Sequence, residues 1–389
     1  MGDVNALATA VSRMTTRVPP GAPPAARPPA GAAIALRAPG VDRSAASGLR
    51  TLPTDSAPDG LPMTTRTHHD LASVTKVVAT TTALIRLVSA DSVRLDSPVR
   101  RFVPEFRGGA KDEVTVRDLL LHRGGLWEWW PLYVESHDRD EALRRAAELP
   151  LRHPPRTGRH YSDLGFVLLG RIVEAAAGQG LRSAVASLVT EPLGMSETRY
   201  ARPAGDDVAT SAVGDRVEIT MLDTGTPYPV PYRGADFSRW RHGPVTGEVN
   251  DGNAFHALDG VSGHAGLFAP LGDLLTLAGA LAEHTHDHSH GLWRPRTAEE
   301  FFAPGPDAGQ SLGFRRYEIA VGTERLPLLG HTGFTGCAVG FVPGRGIALA
   351  FATNRLLTPG DPVPTDALWA WARAAAGAVT TAHSEETHR

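Results

Sequence analysis

The chain has 389 residues, enough for one large domain or two smaller ones with a sizeable core. Its 42% hydrophobic and 21% charged residues are those of a globular protein, and a net charge of −3 offers no basic surface to nucleic acid or anionic membrane. One cysteine, Cys337, excludes an internal disulfide and a multi-cysteine zinc site, and without a run of 18 apolar residues no transmembrane helix is expected.

The first 20 residues lack a basic start followed by an apolar block, so no signal peptide is expected and the chain reads as cytoplasmic. Residues 4–17 predict a short helix, and the Pro/Ala/Gly stretch 18–31 an extended connector. The apolar run 32–38 reads as a buried strand, with a second strand expected near Gly-Leu-Arg-Thr-Leu. From Thr75 to Ala90 the chain is apolar nearly all round, which suits a buried helix. Further helices are expected at 114–122, 163–178 (closed by Gly178) and 272–284, with a long irregular stretch at 201–262. Residues 337–354 read as two strands about a Pro-Gly turn, and 364–379 as a helix carrying Trp369 and Trp371. The expected class is α+β: one catalytic domain over 1–389, in which 1–65 and 308–389 form a sheet with terminal helices. Residues 66–307 form a mainly helical sublobe, and the site lies in the cleft between the two.

Only two of the 39 basic residues are lysine, Lys76 and Lys111. Lys76 follows Ser73 by three positions, one turn away on a helix face. If the helix starts near Ser73, the hydroxyl lies at the positive end of the helix dipole, among N–H groups able to hold an oxyanion. A serine hydroxyl needs a base to become a nucleophile. Burial disfavours the charged lysine and lets it act as that base, whereas arginine keeps its proton. Lysine therefore stands where only lysine can take up a proton.

Ser73-Val74-Thr75-Lys76 resembles the first motif of the serine β-lactamase and penicillin-binding-protein superfamily. Tyr161-Ser162-Asp163 is similar to the Tyr-x-Asn motif of the class C branch, and His331-Thr332-Gly333 to its Lys-Thr-Gly motif. The segments 114–126, 191–200 and 262–274 also resemble the family's connecting segments, so the likeness covers roughly residues 30–375. The resemblance implies a β-lactamase/transpeptidase-like fold with an antiparallel sheet, and no metal or cofactor. Ser73 would form the acyl-enzyme, and Lys76 and Tyr161 would share the proton transfers. The N–H groups of Ser73 and Phe334 would form the oxyanion hole, while Asp163, His331, Thr332, Gly333 and His264 would meet the substrate. The partner would be a small molecule or peptide. His331 replaces the lysine usual in β-lactamases and Asp163 replaces asparagine, changes that resemble the penicillin-binding-protein 4B type and favour a D-amino-acid peptidase or esterase. A phenol near two cations can titrate close to neutrality, and His331 would make activity depend on pH.

Other stretches carry two readings each. His284, His286, His288 and His290 read as a solvated loop, with a zinc or nickel site as the alternative. Residues 247–268 are either a surface connection or a cleft wall contacting substrate through Asn253, His256 or His264. Trp127-Glu128-Trp129-Trp130 is core or lid, and Cys337 is a small strand residue. A binding or scaffold protein that kept the motif, and a metal hydrolase using the histidine run, are the rival functions.

Overall fold

A computed structural model of the chain describes residues 5–283 and 291–387, so the histidine run 284–290 lies outside the described residues. Seven antiparallel strands form the central sheet: β1 (Gly31–Ala38), β2 (Val41–Thr51), β3 (Leu61–Pro62), β4 (Arg315–Val321), β5 (Glu324–Thr332), β6 (Ala338–Val342) and β7 (Ile347–Thr353). Their order is β3-β2-β1-β7-β6-β5-β4. Strands from both ends of the chain thus pair at the centre, with Ile34 of β1 opposite Phe351 of β7. Successive side chains point to opposite faces, and both faces are covered, so β1, β6 and β7 are apolar almost throughout.

Six longer helices matter to the argument: α1 (Ala6–Thr16), α2 (Thr82–Ser89), α3 (Asp163–Ala177), α4 (Arg216–Thr224), α5 (Leu271–Ala282) and α6 (Thr365–Thr387). α1 and α6 pack Leu7, Val11, Met14, Leu368 and Trp369 against Ile34, Leu36 and Phe351. On the other sheet face Ala33, Ala35, Val339 and Phe341 join a core shared with α2, α3 and α5. α5 therefore covers the sheet although it lies within residues 66–307. No single helix among the described residues is long and apolar enough to cross a membrane.

The strand expected near residue 50 spans Val41–Thr51, and the helix expected over 114–122 shortens to Val116–Leu120. The stretch 201–262 is not irregular: it holds α4, a short strand pair (Thr210–Val213 with Pro244–Thr246) and the helix Gly252–Ala257. Helix α3 ends as predicted at Gly178, whose φ of +66° places it in the left-handed region where glycine costs least.

Candidate active site

Three elements converge on Ser73. The first is its own turn. Ala72 has a φ of +45°, uncommon for a residue with a side chain. Asp70 holds it there, its Oδ1 accepting the Ala72 N–H at 2.9 Å and its Oδ2 the Asn250 N–H at 2.6 Å. Burial pushes Asp70 up to about 6 against the pull of those two bonds. A 3₁₀ turn at Ala72–Val74 then passes into a wide π-helical turn, Lys76–Thr81, before α2 begins. The predicted continuous helix is thus irregular at its start, yet it still stacks Lys76 on Ser73: Nζ donates to Oγ at 2.8 Å.

The second element is the start of α3. Ser162 caps it, accepting the Gly165 N–H at 3.0 Å, with Tyr161 before it and Asp163 in its first turn. Asp163 Oδ1 forms an ion pair with Lys76 Nζ at 2.6 Å. Lys76 is fully buried, and its Nζ lies 5.0 Å from the centre of the Tyr161 ring. The third element is the end of β5. A Cβ on Gly333 would stand 2.5 Å from the Leu71 carbonyl oxygen, so only glycine lets this strand end approach the serine turn. The Thr335 hydroxyl fastens the two by donating to the Asp70 carbonyl at 2.8 Å.

A cavity of about 560 Å³ opens over these elements. Ser73, Tyr161, Asp163, His331 and the stretch Thr332–Phe334 all line it; of the other sequence-predicted residues, Lys76 reaches the site through its contact with Ser73, and neither Lys76 nor His264 lines the cavity. His264 is 1% exposed, its ring held by Ser262 at 2.7 Å and Asp251 at 3.0 Å, while its carbonyl stands 3.4 Å from Lys76 Nζ. It braces the lysine from behind and does not line the cavity. Asn253 and His256 are braces too: Asn253 joins Leu132 N–H to the Trp130 carbonyl, and His256 meets Asp215 at 3.0 Å. Of the tryptophans, Trp129 lines the cavity, and Trp127 and Trp130 pack edge to face behind it.

The electrostatics overturn three expectations. Lys76 is not a lysine kept neutral by burial. Burial is the largest influence and pulls its pKa down, but Asp163, with Tyr161, outweighs it and leaves it raised. Tyr161 is likewise raised, by burial first and Asp163 second, against the opposing pull of Lys76, so the phenol keeps its proton. His331 does not titrate near neutrality. Burial, then Lys76 and Arg315, hold it well below the ordinary histidine value. Its Nδ1 lies 2.7 Å from the Thr332 carbonyl, and its Nε2 is buried without a hydrogen-bond partner. Cys337 is fully buried and pushed up to about 12 by burial, which removes it as a nucleophile.

Sequence reading missed both ends of the cavity. One end carries Arg159 and Arg315, the latter donating to Thr332 Oγ1 at 3.2 Å and facing Asp366 at 3.5 Å. The other carries Asp215 and Glu218, while Asp251 lies nearer the serine, its carboxylate within 4.8 Å of that of Asp163; Val217, Met221 and Tyr228 also line the cavity. Burial and Asp251 push Glu218 up to about 8. Arg159 stands two residues before Tyr161, the one local signal available; the acidic end comes from 201–262, whose placement is tertiary. Ligand atoms of Asp163, Asp251 and His264 lie within 4.8 Å of one another, as a metal would require, but the Lys76 ammonium supplies the positive charge there.

The beta-lactamase family profile matches residues 19–374. An N-acetylmuramyl-L-alanine amidase of Bacillus subtilis (strain 168) is 32% identical over 318 residues, covering 76% of this chain and 70% of that protein. An Escherichia coli (strain K12) protein provisionally named a D-alanyl-D-alanine carboxypeptidase is 30% identical over 321 residues, 77% of this chain and 72% of its own. Among solved structures, EstCE1, a hydrolase with promiscuous acyltransferase activity, superposes with a TM-score of 0.67 at 20% identity, over 96% of this chain and 99% of that one, a likeness of fold.

Proposed function

This chain belongs to the beta-lactamase family, a serine-hydrolase superfamily, and from that premise we propose that it hydrolyses an amide or ester through an acyl-enzyme on Ser73. The observation that carries the reading is Lys76, sealed from water between the Ser73 hydroxyl at 2.8 Å and the Asp163 carboxylate at 2.6 Å.

The lysine rests as an ammonium, so it must shed a proton before it can take one from Ser73. Asp163 is the nearest acceptor. A proton passed to Oδ1 turns the ion pair into a neutral amine and a neutral carboxylic acid without changing the charge of the site. Burial favours such neutral forms. The amine then draws the proton from Ser73 Oγ as it attacks the substrate carbonyl, and the N–H groups of Ser73 and Phe334 hold the oxyanion. Tyr161, protonated and beside Lys76, hands a proton to the leaving group and recovers one from the lysine. Water repeats the cycle in reverse.

Arg159, Arg315 and Thr332 form a cationic end suited to a carboxylate on the leaving side. Together with relatives named for amidase and carboxypeptidase activity, this favours a peptide amide whose leaving group is an amino acid or peptide. D-amino-acid peptides come first, with esters as activated surrogates, and β-lactams are the weaker substrates. Intact-mass spectrometry after incubation with a fluorophosphonate and with D-alanyl-D-alanine peptides tests it. An adduct on the native chain that is absent from Ser73→Ala is expected. Equal labelling of both would leave a binding protein on the same fold.

A further inference from the structure

Behind Tyr161, outside the cavity, three side chains face one another. Glu128 Oε1 lies 3.4 Å from His153 Nε2 and 3.8 Å from His160 Nδ1, and the three ligand atoms fall within 4.8 Å of one another. These are long for hydrogen bonds. The shorter matches the spacing of neighbouring ligands on one tetrahedral ion, since bonds of 2.0–2.1 Å place such ligands about 3.4 Å apart, and the longer would close as an ion binds. Two imidazoles and a carboxylate are a zinc donor set.

The surroundings hold this set in place. Arg152 Nη1 donates to Glu128 Oε2 at 2.8 Å and so turns Oε1 toward both rings, the orienting role an outer-shell partner plays at a metal. The main chain ties the two segments together: the Arg152 and His153 N–H groups share the Gly125 carbonyl at 2.9 and 3.0 Å, and the Asp163 N–H donates to the Glu128 carbonyl at 2.8 Å. The side chains are 18–30% exposed, which leaves an ion a way in. The two rings are stacked, 3.6 Å between centres and 5° from parallel. A metal lies in the plane of each imidazole it binds, so coordination rotates the rings out of this stack about their side-chain bonds.

We propose that Glu128, His153 and His160 bind one divalent transition-metal ion, Zn²⁺ by donor type, with water completing the shell. The site is independent of the acyl-transfer reading; it would tie the residue beside Tyr161 to the 122–128 segment.

The test is calorimetric Zn²⁺ titration of the tag-free full chain in which His284, His286, His288 and His290 are all replaced by serine, so that this run cannot bind the ion. One equivalent of Zn²⁺ is expected, with binding weakened tenfold or more by Glu128→Gln and by His153→Ala. No binding tighter than about 1 mM, or equal binding by those variants, overturns the site. A measurement on the native chain guards against a variant that fails to fold: Zn²⁺ should protect His153 and His160 from diethyl pyrocarbonate, read by peptide mass spectrometry. Equal modification with and without Zn²⁺ overturns it as well.

Discussion

Replacing Asp163 by asparagine keeps the shape of the side chain and removes the charge 2.6 Å from the Lys76 ammonium. Two unit charges at that distance attract by about 1.6 kcal/mol in a water-like medium and about 6 kcal/mol at the effective dielectric of about 20 usual in proteins. In the native chain the proton passes between partners of one neutral pair, so kcat/KM for an activated ester should stay flat across neutrality. In Asp163→Asn the amine must release its proton to solvent instead, and a limb falling tenfold per pH unit toward acid should appear. The lost attraction sets where: about 1 to about 5 pH units below the native lysine's own ionisation, which Asp163 holds above the ordinary lysine value. The assay is the initial rate of p-nitrophenyl ester hydrolysis between pH 5 and 10 (a range of about five units) with saturation checked at each point. The sign decides the matter. A native profile that already climbs tenfold per unit through neutrality, and moves to lower pH in Asp163→Asn, would mean that Lys76 loses its proton directly to water. Asp163 would then only hinder the reaction, and the proton-store role would be refuted.

Gly333→Ala should cost about 1–3 kcal/mol and depress turnover together, because the new methyl meets the Leu71 carbonyl at 2.5 Å and pushes β5 from the serine turn; thermal unfolding and ester kinetics report both. Asp215→Ala should destabilise by about 2–3 kcal/mol in urea unfolding, since it removes a buried carboxylate that meets Arg241 at 2.6 Å and His256 at 3.0 Å, leaving the guanidinium the Val249 and Asn250 carbonyls and a more distant Glu248; a change under 1 kcal/mol, roughly a surface pair's worth, would contradict the buried pairing. The Cys337 thiol, pushed up to about 12, should react with a maleimide at pH 8 only after unfolding, and stoichiometric labelling of the native chain would show that it is not sealed. Activity should show no step at the ordinary histidine value from His331, because its imidazole stays neutral as pH falls through that range; His331→Asn with the same flat profile across neutrality is the matching control.

Much of the scaffold was legible in the residues because local chemistry dictated it. An apolar strand at 31–38 and the pair 338–342 and 347–353 are buried on both faces, and such strands are written as continuous apolar runs. α3 carried its own stop at Gly178. The hairpin β4–β5 was not legible: β4 reads Arg-Arg-Tyr-Glu-Ile-Ala-Val and lies at the sheet edge, where charged side chains blur the alternation.

The amino-acid order by itself determined that a serine and one of the chain's two lysines stand one helical turn apart, because three-residue spacing on a helix is a local property. Which form that lysine takes was decided only by the folded chain. Asp163 is 87 positions away in sequence and 2.6 Å away in space, and the charge it brings reverses the effect that burial alone would have had. The cavity's ends have the same origin: Arg315 reaches it from the sheet edge and Asp215 from the 201–262 stretch, positions that no spacing rule connects. Electrostatic energy depends on distance through space, and packing sets that distance.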